Sequence, residues 1–268
     1  MDGNSHPSGS FIKRLRKSGC VFIEDILAPQ LFRKINRTLI DYPEIRQELQ
    51  LKVETLFRDL PDKATRSIYI YYPSIFDTCW NKGVLRINCS FLSATLESQW
   101  TPQQDLLSKC NSGQLSMERS SGILVKSVTL QHQFLEKLLM MHEVFRYKGI
   151  TTKYLEGGSR HLYDIVSIND RLEAMEIPLN RKLYGDLRYY RNQWFGRSCL
   201  MHRSTSLNQL CFVPPVHLLG FLMDDYRALR KQLIFDTRLD FPSLIGKLQK
   251  VNEKINGRLW QPTNYKKR

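Results

Sequence analysis

The sequence predicts an α+β fold in which a mixed α/β first half gives way to an all-helical second half. Three observations carry this. Short runs rich in β-branched and aromatic residues lie before residue 125, apolar residues recur at helical spacing from Leu130 onward, and a stretch rich in Ser, Gln and Gly at 101–122 separates the two patterns.

Taken in order, residues 1–10 are polar and predict a flexible N-terminus. Gly19-Cys20-Val21-Phe22-Ile23 is a short apolar run with strand character, and a helical pattern follows from about Pro29 to Leu60. Ser67-Ile-Tyr-Ile-Tyr-Tyr72 alternates as a strand does. Val84 to Phe91 predicts another strand after the turn at Asn81-Lys82-Gly83. Residues 101–122 predict a long surface loop, and Ile123 to Val128 begins a new segment. Beyond it come helices broken at Gly157-Gly158, a loop through Val213-Pro214-Pro215, and helices over about Val216 to Ile234 and Pro242 to Asn256. The division is therefore a flexible 1–10, an α/β domain over 11–125, a helical domain over 126–257 and a basic tail over 258–268.

The chain has 268 residues, 42% of them hydrophobic, which is enough for one large core or two modest ones and excludes a disordered protein. Forty Lys and Arg face 26 Asp and Glu, a net charge of +14. That balance favours polyanions such as RNA, DNA or nucleotides, and is equally compatible with a basic soluble surface. Cys20, Cys79, Cys89, Cys110, Cys199 and Cys211 are scattered, without Cys-x-x-Cys or zinc-like Cys/His spacing, and are expected as free thiols. No apolar run approaches the roughly 20 residues that cross a bilayer, so a cytoplasmic location without membrane association is expected.

Functional information concentrates between Val128 and Ile168. Phe134, Leu135, Leu138, Leu139 and Met141 form a broad apolar helical face that Lys137 and His142 interrupt. A second helix begins near Ser159, a residue able to cap it, with Arg160 and Asp164 four residues apart on one face.

The segments Gln133-Phe134-Leu135-Glu136-Lys137, Met140-Met141-His142-Glu143 and Ser159-Arg160-His161-Leu162-Tyr163-Asp164 resemble, in order and spacing, the motifs of the AbiEii/AbiGii toxin family. Leu187 to Phe195, Leu210 to Pro215, Asp224-Asp225-Tyr226-Arg227-Ala228 and Lys254-Ile255-Asn256 agree further on, and Tyr71 to Phe76 and Val84 to Phe91 agree upstream. The likeness covers roughly residues 67–257. It implies a nucleotidyltransferase (polymerase-β-like) mixed sheet followed by a C-terminal helical domain. It also implies transfer of a nucleoside monophosphate from an NTP to an RNA such as tRNA, Mg²⁺ as cofactor, and the bacterial setting of a phage-defence, abortive-infection toxin with a cognate antitoxin.

The chain departs from that pattern at its start. No Gly-Gly-Thr element precedes the likeness, so the sheet is expected to be truncated there, and Arg14 to Cys20 falls where Arg-Phe-Ser-x-Asp-x-Asp would stand. Ser18 and Cys20 thus occupy the positions of the metal-binding carboxylates. Ile87 and Asn88 stand where a third carboxylate comes from in related folds, and Glu24 and Asp25 lack the one-residue spacing that puts two side chains on one strand face. Hard Mg²⁺ prefers carboxylate oxygen to hydroxyl or thiol, so impaired catalysis is expected, with a catalytically dead binder of nucleotide, RNA or antitoxin as the alternative.

Under the resemblance, Lys137 and Asp164 are the catalytic candidates, with Lys137 and Arg160 binding the nucleotide's phosphates. Read from the residues alone, Arg160 and Asp164 also make an intrahelical ion pair, and Lys137 makes a solvated helix lysine. His142 and His161 are weaker candidates, since a lone histidine beside an apolar face is more often structural, and His142 reads as structural; Glu136 reads as a solvent-facing or pairing residue. Arg188, Arg191 and Arg197, interleaved with Tyr184, Tyr189, Tyr190, Trp194 and Phe195, offer an RNA-facing surface whose rings are mostly core.

Overall fold

In a computed structural model of the chain, residues 9–55, 66–73, 83–89, 98–103, 123–146, 155–195, 205–230 and 239–257 are described. They form an α+β fold. The polar start is shorter than expected, because Gly9 and Ser10 already belong to helix α1 (Gly9–Val21). A π-helical segment, Phe22–Leu27, continues it into α2 (Ala28–Thr38).

The strand expected at Gly19–Ile23 is therefore helical. Five apolar residues in a row fit either period, and here the three-dimensional pattern decides: Ile23 and Ala28 are buried while Val21 and Phe22 stay exposed. The π turn has a local cause. Pro29 has no N–H and its ring crowds the carbonyl of Asp25 one turn back, so the helix widens and Ala28 N–H donates to the oxygen of Ile23, five residues earlier.

The single helix expected over Pro29–Leu60 is divided. It ends at Thr38, a six-residue α3 (Pro43–Glu48) starts on Pro43, and Leu51 and Val53 then alternate with Lys52 and Glu54 in strand β1 (Gln50–Thr55). Strands β2 (Arg66–Tyr71) and β3 (Val84–Cys89) complete a three-stranded sheet of order β1-β2-β3. Both pairings are antiparallel, with Ile68 opposite Val53 and Ile87. The expected mixed sheet is thus antiparallel among the described residues, because consecutive strands pair directly and need no crossover. Leu51, Val53, Ile68, Ile70 and Ile87 share one face and pack with Ile23, Ala28, Leu31, Phe32 and Ile35 into a small core.

Residues 101–103, expected in a loop, belong to β4 (Ser98–Gln103), which pairs antiparallel with β5 (Ile123–Val128). The rest of that loop, 104–122, lies outside the described residues, as does the basic tail. The division placed at 125/126 falls inside β5.

Five helices follow among the described residues: α4 (Leu130–Arg146), α5 (Ser159–Ala174), α6 (Arg181–Phe195), α7 (Leu219–Arg230) and α8 (Phe241–Asn256). Their apolar stripes converge on a second, larger core built on Leu135, Leu138, Leu162, Ile165, Tyr226 and Leu244, each fully buried. Burying one such side chain contributes about 1.5–3 kcal/mol. The Pro-rich stretch after α6 joins that core, with Leu210, Phe212 and Val213 buried. Helix α8 is bounded by its own sequence: Asp240 accepts from Ser243 N–H at 2.8 Å, Pro242 fits the first turn, and Gly257 closes the helix at φ 64°. No helix among the described residues is long and apolar enough to cross a membrane.

Candidate functional site

Helix α5 begins on a turn that favours glycine. Gly157 adopts φ 71°, and a Cβ on Gly158 would stand 2.7 Å from the carbonyl oxygen of Leu155. Ser159, expected to cap the helix, does not. Its hydroxyl donates to Asp225 on α7, which also accepts from the backbone N–H of Gly157 at 2.8 Å and of Ser159 at 3.0 Å. The carboxylate of a neighbouring helix therefore satisfies the amino end of α5 and lies favourably on its dipole.

Further along, His161 and Asp164, three residues apart, share one face of α5 and meet Lys137 on α4. The Lys137 ammonium donates to Asp164 Oδ2 at 2.6 Å and lies 3.4 Å from His161 Nδ1, which is 3.9 Å from the same carboxylate oxygen. Lys137 and Asp164 keep 23% and 29% of their side-chain surface, so the pair is accessible yet partly desolvated. The structure thus brings together the two motifs that the sequence separates by 27 residues.

His161 is neutral here. Burial, followed by the cations of Lys137 and Arg160, outweighs the carboxylates of Asp164 and Asp225 and pushes it down to about 4. With Nδ1 accepting from the Lys137 ammonium, the ring proton sits on Nε2. The ammonium has three donors and spends two on these partners, which leaves one for an incoming oxygen. Arg160 is exposed on the first turn of α5. Asp164 pairs across to Lys137 of α4 at 2.6 Å and not back to Arg160, so the interhelical pair replaces the intrahelical one.

The other face of α4 is structural. Glu143 receives both Nε and Nη2 of Arg191 from α6, Glu136 lies 3.7 Å from Arg191 Nη1, and His132 approaches Glu136 at 3.7 Å. Arg191 is 4% exposed, so this member of the expected RNA-facing set faces the interior, where a forked guanidinium matches a carboxylate. Arg188 is half-buried, donates to Thr205 O at 3.0 Å and lies over the Tyr184 ring. Tyr184 donates to the same carbonyl at 2.9 Å, and burial pushes its hydroxyl up to about 12. Arg197 lies outside the described residues. His142 is buried and its Nδ1 accepts from Cys211 N–H at 2.8 Å, a packing role.

The positions matched to the metal motif do not form one. Ser18 is exposed and Cys20 half-buried on α1, and residues two apart on a helix point about 200° apart, a consequence of 3.6 residues per turn. Glu24 is paired with Arg66, and Asn88 accepts from Ser67 Oγ at 2.7 Å and Arg86 Nε at 3.1 Å. Among the described residues, no group of three or more His, Cys, Asp or Glu is placed to hold a metal ion.

Sequence reasoning missed Asp225 as the residue that fixes α5. The available signal was the doublet Asp224-Asp225 beside a fully buried Tyr226: Asp224 is exposed and Asp225 half-buried, so only the second lies against a neighbour. No family model, curated protein or solved structure matches the chain.

Proposed function

We propose that this chain is a relative of the AbiEii/AbiGii nucleotidyltransferase toxins that keeps a nucleotide-binding half-site and has lost the metal-binding half. The carrying observation is the cross-helix cluster of Lys137, His161 and Asp164. A partly desolvated ammonium with a spare donor, a neutral imidazole beside it and an exposed guanidinium one turn away suit the polyphosphate of an NTP. Asp164 aims Lys137 through their hydrogen bond, and Asp225 holds the helix that presents His161 and Asp164.

Mg²⁺, which the resemblance implies, does not fit the residues in its place. Ser18 and Cys20 offer a hydroxyl and a thiol on diverging faces of a helix, where hard Mg²⁺ would need carboxylate oxygens. The reading is an NTP-binding protein, with RNA and an antitoxin as the partners the resemblance adds.

Incubation with each α-labelled NTP, total tRNA and Mg²⁺ or Mn²⁺ tests it, alongside Lys137→Ala and Asp164→Ala. The expected result is NTP retained by the wild-type protein without label on RNA. Label that both substitutions remove would make the chain an active transferase and overturn the half-site reading.

A further inference from the structure

The three-stranded sheet has a second face, which turns away from α2 and carries a different chemistry. Strand alternation and the observed register place Lys52 of β1, Tyr69 of β2 and Arg86 of β3 in one row across it. Tyr71 stands next along the central strand, its ring 6.4 Å from that of Tyr69 and within 19° of parallel. The Arg86 guanidinium lies 5.6 Å above the Tyr69 ring, and its Nε donates to Asn88. Lys52 is 58% exposed and pairs with Glu54, the one acid of this face.

Nothing in the nucleotide half-site uses these residues, and a buried-core role does not account for them. The apolar members of the sheet already pack on the opposite face, and both rings are only half-buried. Two near-parallel rings on an open antiparallel sheet, flanked by cations on both neighbouring strands, match what unpaired bases require: aromatic faces to stack on and positive charge to follow the backbone. The chain's net charge of +14 supplies the long-range attraction for such a polyanion. A duplex, with its bases already stacked, cannot use the rings.

We infer that the Tyr69–Tyr71 face of the sheet is a binding platform for single-stranded nucleic acid, on which Tyr69 and Tyr71 stack bases while Arg86 and Lys52 contact phosphates. This rests on the sheet alone and stands independently of the nucleotide reading.

Fluorescence anisotropy with labelled oligouridylate, oligothymidylate and a duplex of the same length, about ten nucleotides, tests the full-length chain. Both single strands are expected to bind more tightly than the duplex, and the two arms separate RNA from DNA. Tyr69→Leu and Tyr71→Leu should each weaken binding about tenfold, whereas Tyr69→Phe and Tyr71→Phe, which keep the rings, retain it. Arg86→Ala should lower the salt dependence by about 0.7 in log–log slope. A circular dichroism spectrum and thermal midpoint equal to wild type in both leucine variants show that the chain is folded, and NTP binding measured separately distinguishes failure here from failure of the half-site. Single strands that fail to bind, or that bind the leucine variants as tightly as wild type, would overturn the platform.

Discussion

At the scale of single residues, Lys137 is held where it can change partners. Its ammonium is hydrogen-bonded to the Asp164 carboxylate and close to an imidazole that burial keeps neutral, so a phosphate oxygen arriving there meets a directed donor. The neutral state of His161 has a consequence for stability. Lys137 and Arg160 disfavour its proton, Asp164 and Asp225 favour it, and burial dominates. Because the folded protein takes up that proton less readily than the unfolded chain, the contribution of His161 is intact above pH 6.5 and is lost as pH falls toward about 4. Urea midpoints at pH 7 and pH 5 should therefore differ less for His161→Gln than for wild type, and an equal difference would remove His161 from the explanation. At Gly158, the carbonyl of Leu155 leaves no room for a methyl group. Gly158→Ala should lower the thermal midpoint, while Gly185→Ala, in open space within α6, should leave it unchanged or raise it.

At the scale of elements, helix ends and helix faces are tied by side chains from elsewhere in the chain. Asp225 on α7 closes the first turn of α5, so Asp225→Ala should destabilise the protein by about 1–2 kcal/mol, with the earliest amides of α5 exchanging fastest. The Arg191–Glu143 fork joins α4 to α6 in the interior. Breaking one side of such a pair costs about 3–5 kcal/mol, so Arg191→Ala should approach global unfolding in urea. Arg188→Ala, which removes one hydrogen bond to Thr205, should lose about 1 kcal/mol. Equal effects at the two positions would place both arginines on the surface, contrary to the structure.

At the scale of the whole molecule, two cores of unequal size account for what the sequence disclosed. The helical half was legible because its stripes are long: Phe134, Leu138, Met141 and Phe145 recur over about three turns, and Gly157-Gly158 marks the break. The α/β half was not, because its apolar runs are short. Gly19–Ile23 fits a strand in isolation and becomes helical once Ile23 and Ala28 find the sheet, while the alternation in β1 lasts only six residues and follows a helix directly. At the candidate site, Lys137 and Asp164 were singled out through their motifs, and the structure adds that they meet across α4 and α5. Asp225 was invisible to local spacing because its partners lie 66 and 68 residues away, and Arg191 looked superficial because its carboxylate sits on another helix. The smaller core rests on Ile23, Ala28, Ile68 and Ile70, so amides of β1–β3 should exchange with solvent sooner than those of α4 and α5.

The central claim is that Lys137, presented by α4 and steadied by α5, binds nucleotide. Calorimetric titration of each NTP into wild-type protein and Lys137→Ala tests this most directly. Removing a charge-assisted donor should weaken binding about ten- to a hundredfold, with the fold intact by circular dichroism. An alanine variant that binds as tightly as wild type, or a wild-type protein that binds none of the four nucleotides, would contradict it.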